Sequence, residues 1–414
     1  MEVLHPRCAG LDVHKDSVTA AVRIAAPGGA SVEVRCFDTT TPGLLALGAW
    51  LAEAGVTHAA MEATGVYWRP VWHVLSDGEL SLLLANAAHV RNVPGRKTDV
   101  ADAAWLAEWL AHGLIRPSFV PDTPTQAMRA LLRTRKQLVR EQASHVQRIQ
   151  KTLEDANLKL ACVLSDVLGV SGRAVLEALV AGETDPDRLL ALVDRRVKAP
   201  PERLRAAMTG RLTDHHRFLL RLHLRQIDTI AEALAEIDAE VARELDPFRD
   251  AVRLLRSIPG ISDLSARVVV AEIGTDMGRF PTAGHLVSWA GLCPRNDESA
   301  GKRRSNRLRK GAPWLKTTLV QCAWAATRKK DSSLRAQFHH LRQRRGPKKA
   351  ICAVAASILT AVWHMLQNGT FWHDLGPNHF HQRSPEQQAR HFAAQITNPG
   401  FACSLKPQAE GVSV

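Results

Sequence analysis

Residues 8–24 read CAGLDVHKDSVTAAVRI: two short apolar, β-branched runs, Cys8 to His14 and Ser17 to Ile24, separated by the polar pair Lys15-Asp16. That pattern predicts adjacent hairpin strands. Ser31 to Phe37 (SVEVRCF) alternates as a third strand should. Pro42 to Ala54 then carries Leu44, Leu45, Leu47, Trp50 and Leu51 at helical spacing, with Thr41 expected as its cap. Val56 to Met61 reads as a fourth strand, Tyr67 to Leu75 as a helix and Leu80 to Ala85 as a fifth strand. Asp99 to His112 (DVADAAWLAEWLAH) is strongly periodic and stops at Gly113. Three antiparallel strands, a helix, then strand, helix, strand and helix is the order of an RNase H-like (RuvC-like) α/β domain, assigned to residues 1–120.

Pro117, Pro121 and Pro124 mark its end. Thr125 to Leu160 has long helical periodicity and seven basic residues between 129 and 151 against Glu141 alone, consistent with a bundle helix, a coiled coil or a nucleic-acid-facing helix. His216 to Leu245 is a second long helix, able to pair antiparallel with the first, so residues 121–250 read as a long-helix, coiled-coil middle. From Arg253 a mainly α C-terminal domain follows (251–370). Leu255 to Ser262 places apolar residues around Pro259-Gly260 before a helix, Ser262 to Ile273. This resembles a helix-hairpin-helix, whose turn presents backbone N–H groups to a phosphate. Lys349 to Gln367 is a further amphipathic helix. In the tail (371–414), His373, His379 and His381 lack metal-ligand spacing.

Charge narrows the function. The net charge is +13, and residues 302–349 hold sixteen Lys or Arg against the single acid Asp331, a balance of +15 that leaves −2 for the rest. Such a concentration points to a nucleic acid. The seven cysteines are scattered with no Cys-x-x-Cys pair, which argues against a disulfide framework or Cys-rich zinc site and fits a reducing cytoplasm. No apolar run is expected to reach the roughly 20 residues of a bilayer span. The N-terminal MEVLHPRCAG has no secretory h-region, so a cytoplasmic location with no membrane partner is expected.

Four acids fall at element ends. Asp12 closes the first strand and Glu62 the fourth, while Asp99 and Asp102 open the last helix of the domain at i and i+3. On an RNase H-like sheet these positions converge. Phosphodiester transfer builds negative charge on attacking and leaving oxygens, which two Mg²⁺ ions roughly 3.5–4 Å apart stabilise. Hard cations take oxygen ligands. Taken singly, each acid has an ordinary reading as a cap or an exposed strand end; the ordered set is what points to metal. The single tyrosine, Tyr67, lacks the Arg/His cluster of a tyrosine recombinase, and no Gly-x-x-x-x-Gly-Lys loop is present.

Gly10-Leu11-Asp12-Val13-His14-Lys15, Met61-Glu62-Ala63-Thr64-Gly65 and Lys97-Thr98-Asp99-Val100-Ala101-Asp102-Ala103 resemble the motifs of DEDD insertion-sequence transposases, the IS110 family. Ile258-Pro259-Gly260-Ile261, Arg279-Phe280, Trp289-Ala290-Gly291-Leu292-Cys293-Pro294, Ser299-Ala300-Gly301-Lys302 and Arg309-Lys310-Gly311 extend the resemblance, in the family's order. It implies a RuvC-like nuclease domain, a coiled-coil middle and a C-terminal transposase domain bearing a nucleophilic serine. By motif that serine is Ser299, with Ser305 as the alternative, since Ala300 stands where the family has the first of two glycines. The resemblance also implies a structured guide RNA pairing with donor and target DNA, and a homodimer or tetramer sharing composite sites. Expected nucleic-acid contacts are Pro259, Gly260, Lys302, Arg303, Arg304, Arg307, Arg309 and Lys310. A hydrolytic nuclease of the junction-resolvase kind and a non-catalytic nucleic-acid-binding relative remain the alternatives.

Overall fold

In the computed structural model, β1 (Arg7–Val13), β2 (Ser17–Ala26) and β3 (Gly29–Asp38) pair antiparallel. β4 (His58–Glu62) and β5 (Ser81–Ala85) add parallel strands on the other side of β1, giving the order β3-β2-β1-β4-β5. The structure describes residues 2–63, 65–85, 99–294, 297–299, 301–305 and 307–379, with short pieces from 389 to 404. For residues 99, 100, 297–299, 303 and 304 only the backbone is described. Lys97, Thr98, Thr64, Ala300 and His381, which the sequence motifs include, lie outside the described residues.

Side-chain alternation divides this sheet into two faces. Ala9, Leu11 and Val13 of β1, with Ala59 and Met61 of β4, pack against Leu44, Leu47 and Leu51 of α1 (Thr41–Glu53) and Val71 and Leu75 of α2 (Trp68–Ser76). Cys8, Ala60 and Ala85 pack on the other face against Leu106, Leu110 and Ala111 of α3 (Asp99–Ala111). The cap of α1 is Thr40, not the expected Thr41: its hydroxyl oxygen accepts from the Gly43 N–H at 3.3 Å. Thr41 thereby becomes the first helical residue. Gly113, at φ +66°, follows α3 as the sequence predicts.

Residues 1–120 and 121–414 form two compact units. In the second, α4 (Thr123–Asp155) and α9 (Asp214–Arg243) are antiparallel. Descending pairs show the direction: Arg135 with Asp238, His145 with His223, and Asp155 with His216. Four shorter helices fill the connection, α5 (Leu160–Val163), α6 (Val170–Ala181), α7 (Pro186–Ala191) and α8 (Pro201–Met208). Leu176 of α6 and Leu204 of α8 share a core with Ile149, Leu153, Leu220 and Leu224 of the long pair.

The remainder comprises α10 (Arg249–Leu255), α11 (Asp263–Ile273), α12 (Ala283–Trp289), a hairpin of β6 (Asp297–Ser299) and β7 (Lys302–Ser305), then α13 (Pro313–Ala326), α14 (Ser333–Arg345) and α15 (Pro347–Asn368). Residues 121–250 and 251–370, expected as separate regions, lie in one unit. Arg129 of α4 donates to the Ala271 and Glu272 carbonyls, and Arg133 forms a two-pronged pair with the Glu272 carboxylate, 2.8 Å at each prong.

One sequence expectation is corrected. α15 is 22 residues long with a mean hydropathy of 1.6 in its most apolar stretch, enough by length and composition to cross a membrane. In the folded chain Ile351, Val354, Ile358, Leu359 and Val362 are buried, and α10, α12, α13 and α14 pack around the helix. A helix enclosed on several sides becomes apolar on several sides, which is why the amphipathic reading understated it.

Candidate active site and nucleic-acid interface

β1 and β4 run parallel with Leu11 opposite Met61, so the next residues in register are Asp12 and Glu62. Neighbouring strands stand about 4.8 Å apart. By alternation Asp12 shares the face of Cys8 and Gly10, and Glu62 that of Ala60, the face covered by α3. The Asp12 side chain is only 14% exposed, and its Oδ2 accepts from His14 Nε2 at 3.1 Å. Glu62 is half-buried.

The direction of α3 places the other two acids. The Cys8 thiol donates to the Ala107 carbonyl at 3.3 Å. Gly10 lies against the Ala103 carbonyl and the Ala107 N–H, where a Cβ would come within 2.1 and 2.5 Å. The helix therefore runs antiparallel to β1. From Gly10 to Asp12 the strand advances roughly 6.6 Å; from Ala103 back to Asp99 the helix covers about 6 Å. The start of α3, carrying Asp99 and the exposed Asp102, thus comes level with Asp12. The convergence is one of strand and helix ends: among the described residues no group of three His, Cys, Asp or Glu side chains is gathered closely enough to hold a metal ion.

Charge pairing locks α3 onto the sheet. Arg23 of β2, nearly buried, bonds Glu108 of α3 at 2.5 Å through Nε, and His112 Nε2 meets the same carboxylate at 3.0 Å. The Arg23 hydrogen bond holds the Glu108 carboxyl below its usual range. Burial pushes the Cys8 thiol up to about 11, which makes it unsuited to act as a thiolate nucleophile.

In the second unit, Ser299 is the last residue of β6 and pairs with Lys302 across the hairpin end. Gly301 there has φ +72° and open space where a Cβ would stand. The hairpin continues through Asp297 opposite Ser305 to a bridge between Pro294 and Leu308. At its base Gly311, φ +53°, lies against the Ala290 carbonyl, and Lys316 Nζ donates to the carbonyls of Arg309 and Lys310, both at 2.8 Å. Two motifs separated in the sequence, Trp289 to Pro294 and Arg309 to Gly311, thereby build one support. Ser305 is half-buried and its hydroxyl accepts from the Arg307 N–H, whereas Ser299 stands next to the tip. Lys302, Arg307, Arg309 and Lys310 are exposed; the backbone places Arg303 and Arg304 on β7.

Pro259 and Gly260 sit differently from the expected phosphate-binding turn. Pro259 is buried, and Gly260, at φ +85°, is pressed against the Cys322 carbonyl and Ala326 of α13. The Ile261 N–H is used by the Ile258 carbonyl, and Asp263 in the first turn of α11 pairs with Arg256 and Arg267. The glycine here serves close helix packing. His373 and His379 are exposed in the tail.

Sequence reasoning missed the hairpin and the Gly10 contact. The second had a signal, an isolated glycine within a strand, which often marks a close backbone approach.

A DEDD transposase model of the IS110 type matches residues 9–158, and a model described as Transposase IS116/IS110/IS902 family matches residues 252–339. A probable family 20 transposase of Pseudomonas aeruginosa is 26% identical over 318 residues, 75% of this chain and 84% of that protein. The transposase for insertion sequence element IS1111A of Coxiella burnetii is 25% identical, covering 68% of this chain and 70% of its own. A 43.6 kDa protein of insertion element IS110 from Streptomyces coelicolor is 30% identical over 128 residues, 30% of this chain and 31% of that protein. With an α/β sheet unit followed by a mostly helical one, and both family matches in their expected order, the chain belongs to the IS110/IS116/IS902 family of insertion-sequence transposases and is a DNA transposase.

Proposed function

We propose that the N-terminal unit is an RNase H-like nuclease domain in which Asp12, Glu62, Asp99 and Asp102 hold Mg²⁺, and that Ser299 is the nucleophile of a strand-exchange reaction. The observation that carries this reading is the register of β1 and β4, which makes Asp12 and Glu62 neighbours at the edge reached by the start of α3. Their donor chemistry, carboxylate oxygens throughout, suits a hard divalent cation and would relieve the repulsion of clustered acids. When bound, Mg²⁺ would stabilise charge developing on phosphoryl, attacking and leaving oxygens.

The Ser299 Oγ attacks a DNA phosphorus; one Oγ–P bond forms, one P–O ester bond breaks, and the leaving oxygen departs as a free hydroxyl. A released 3′-hydroxyl from another strand reverses the attack, frees Ser299 and seals the new junction. The phosphodiester energy is conserved, so no nucleotide cofactor is needed. Gly301 leaves room beside Ser299 for a phosphate, and Lys302, Arg303, Arg304, Arg307, Arg309 and Lys310 offset its charge. Pro259 and Gly260, packed on α13, are left out of this contact set. The partners are donor and target DNA and a structured guide RNA, which would spare the protein from reading bases itself, with a homodimer or tetramer as the working form.

Strand exchange on element-end substrates, supplied with RNA transcribed from the element's non-coding flank, tests the scheme. Ser299→Ala should lose both the covalent protein–DNA adduct and recombinant product, and Asp12→Ala should lose cleavage. Undiminished exchange in Ser299→Ala would point instead to the hydrolytic nuclease reading. Binding without cleavage under every substrate and guide would point to an inactive relative.

A further inference from the structure

Three cations of α4 converge on one indole in the second unit. The guanidinium carbons of Arg133 and Arg140 lie 5.6 and 5.3 Å from the centre of the Trp314 ring, and Lys136 Nζ lies 5.6 Å from it. The three stand at i, i+3 and i+7, one stripe of the helix. Glu272 neutralises Arg133, but it is also the carboxylate nearest Arg129. Among the described residues no carboxylate pairs with Lys136 or Arg140, and Lys136 Nζ is buried without a hydrogen-bond acceptor. Burial, and then the charge of Arg140, hold the Lys136 ammonium below its ordinary pKa. An aromatic face offsets part of that cost. The surplus charge is left for something anionic.

Trp314 is in the first turn of α13, two residues from Lys316, whose ammonium ties down the Arg309 and Lys310 carbonyls. The stripe on α4 and the exposed loop with Arg309 and Lys310 therefore meet at one helix start. Arg140 is exposed and the Arg133 side chain 31% exposed, so the cluster is open to solvent on one side.

We infer that Lys136 and Arg140, gathered beside Arg133 by Trp314, form a binding site for the phosphodiester backbone of a nucleic acid, continuous with the Arg309–Lys310 loop. This rests on the nucleic-acid reading above and extends it to α4, outside the basic segment 302–349. Trp314 is a positioning residue: its ring is occupied by the cations and holds them together.

The test is equilibrium binding of the full chain to a 30-base-pair DNA duplex and, separately, a 30-base-pair RNA hairpin, from 50 to 300 mM salt. The plot of log K against log salt should become shallower by about 0.9 for each phosphate that the variant no longer neutralises. Lys136→Gln/Arg140→Gln should lower the slope by one to two such steps on whichever probe the wild type holds. Trp314→Leu should lower it similarly and Trp314→Phe restore it, with circular dichroism and melting temperature confirming folded protein. Wild-type binding with an unchanged slope in the Lys136→Gln/Arg140→Gln protein would overturn this inference and leave the wider reading intact. Absence of salt-dependent binding by the wild type to either probe would sink both.

Discussion

Gly10 and Ala103 touch backbone to backbone: a Cβ on Gly10 would stand 2.1 Å from the Ala103 carbonyl oxygen. Through this contact α3 lies close on β1, and the closeness brings the Asp99–Asp102 turn to the Asp12 edge. Gly10→Ala cannot be relieved by a side-chain rotation, because both partners are backbone. Overpacking of this kind costs about 1–3 kcal/mol. We expect a lower unfolding midpoint and, at temperatures where the variant is still folded, a loss of DNA cleavage. A variant with wild-type stability would mean that α3 does not pack this closely.

Asp12→Asn and Glu62→Gln keep shape and remove charge at register neighbours. Cleavage should fall by more than about 100-fold in each, beyond the roughly 10–100-fold that follows removal of a group supporting a metal ligand. EDTA should stop wild-type cleavage and added Mg²⁺ restore it. Nucleic-acid affinity should change little. Cleavage of a labelled substrate, read beside a filter-binding curve, separates the two effects.

Glu272 is 2% exposed and accepts both prongs of Arg133. Removing one partner of such a pair typically costs about 3–5 kcal/mol; Glu272→Ala should fall near the lower end, since Arg133 retains some solvent. Urea unfolding of the full chain checks this. A midpoint equal to wild type would show that the pair does not hold α4 to α11.

His145 and His223 face one another with Nδ1 atoms 3.1 Å apart, joining α4 to α9. Burial, then the neighbouring His145 and Arg148 charges, lower the His223 pKa below 6.5. Above pH 6.5 both the folded and unfolded forms are neutral, and the contribution to stability is fully present. As the pH falls through 6.5 the unfolded chain takes up a proton first, so stability declines until the folded His223 titrates as well. Thermal unfolding followed from pH 8 to pH 5 should show this decline, and His223→Gln should flatten it. An equal pH slope in both proteins would refute the assignment.

The two apolar runs of Cys8 to Ile24, the alternation of Ser31 to Phe37 and the apolar runs at Val56 and Leu80 carry enough local information to place five strands. The acids at their ends stand out because charge at the close of a buried strand is unusual. The β6–β7 hairpin was not legible. Asp297-Glu298-Ser299 and Lys302-Arg303-Arg304-Ser305 have no apolar alternation, and the turn is supported from outside by Gly291, Gly311 and Lys316. The α4 stripe was visible as charge, but one helix face does not declare its partner. Trp314 lies 174 residues beyond Arg140.

Apart from the β6–β7 hairpin, the chain by itself determined the kind of elements, their order and the acids at their ends, because hydrophobic period and turn chemistry act over a few neighbouring residues. Only the tertiary structure decided that α3 runs antiparallel to β1 with its first turn at Asp12, that Pro259-Gly260 packs on α13, and that three cations share one indole. Each of these is a meeting of residues far apart in the chain, where close packing selects among arrangements that local preferences leave equal.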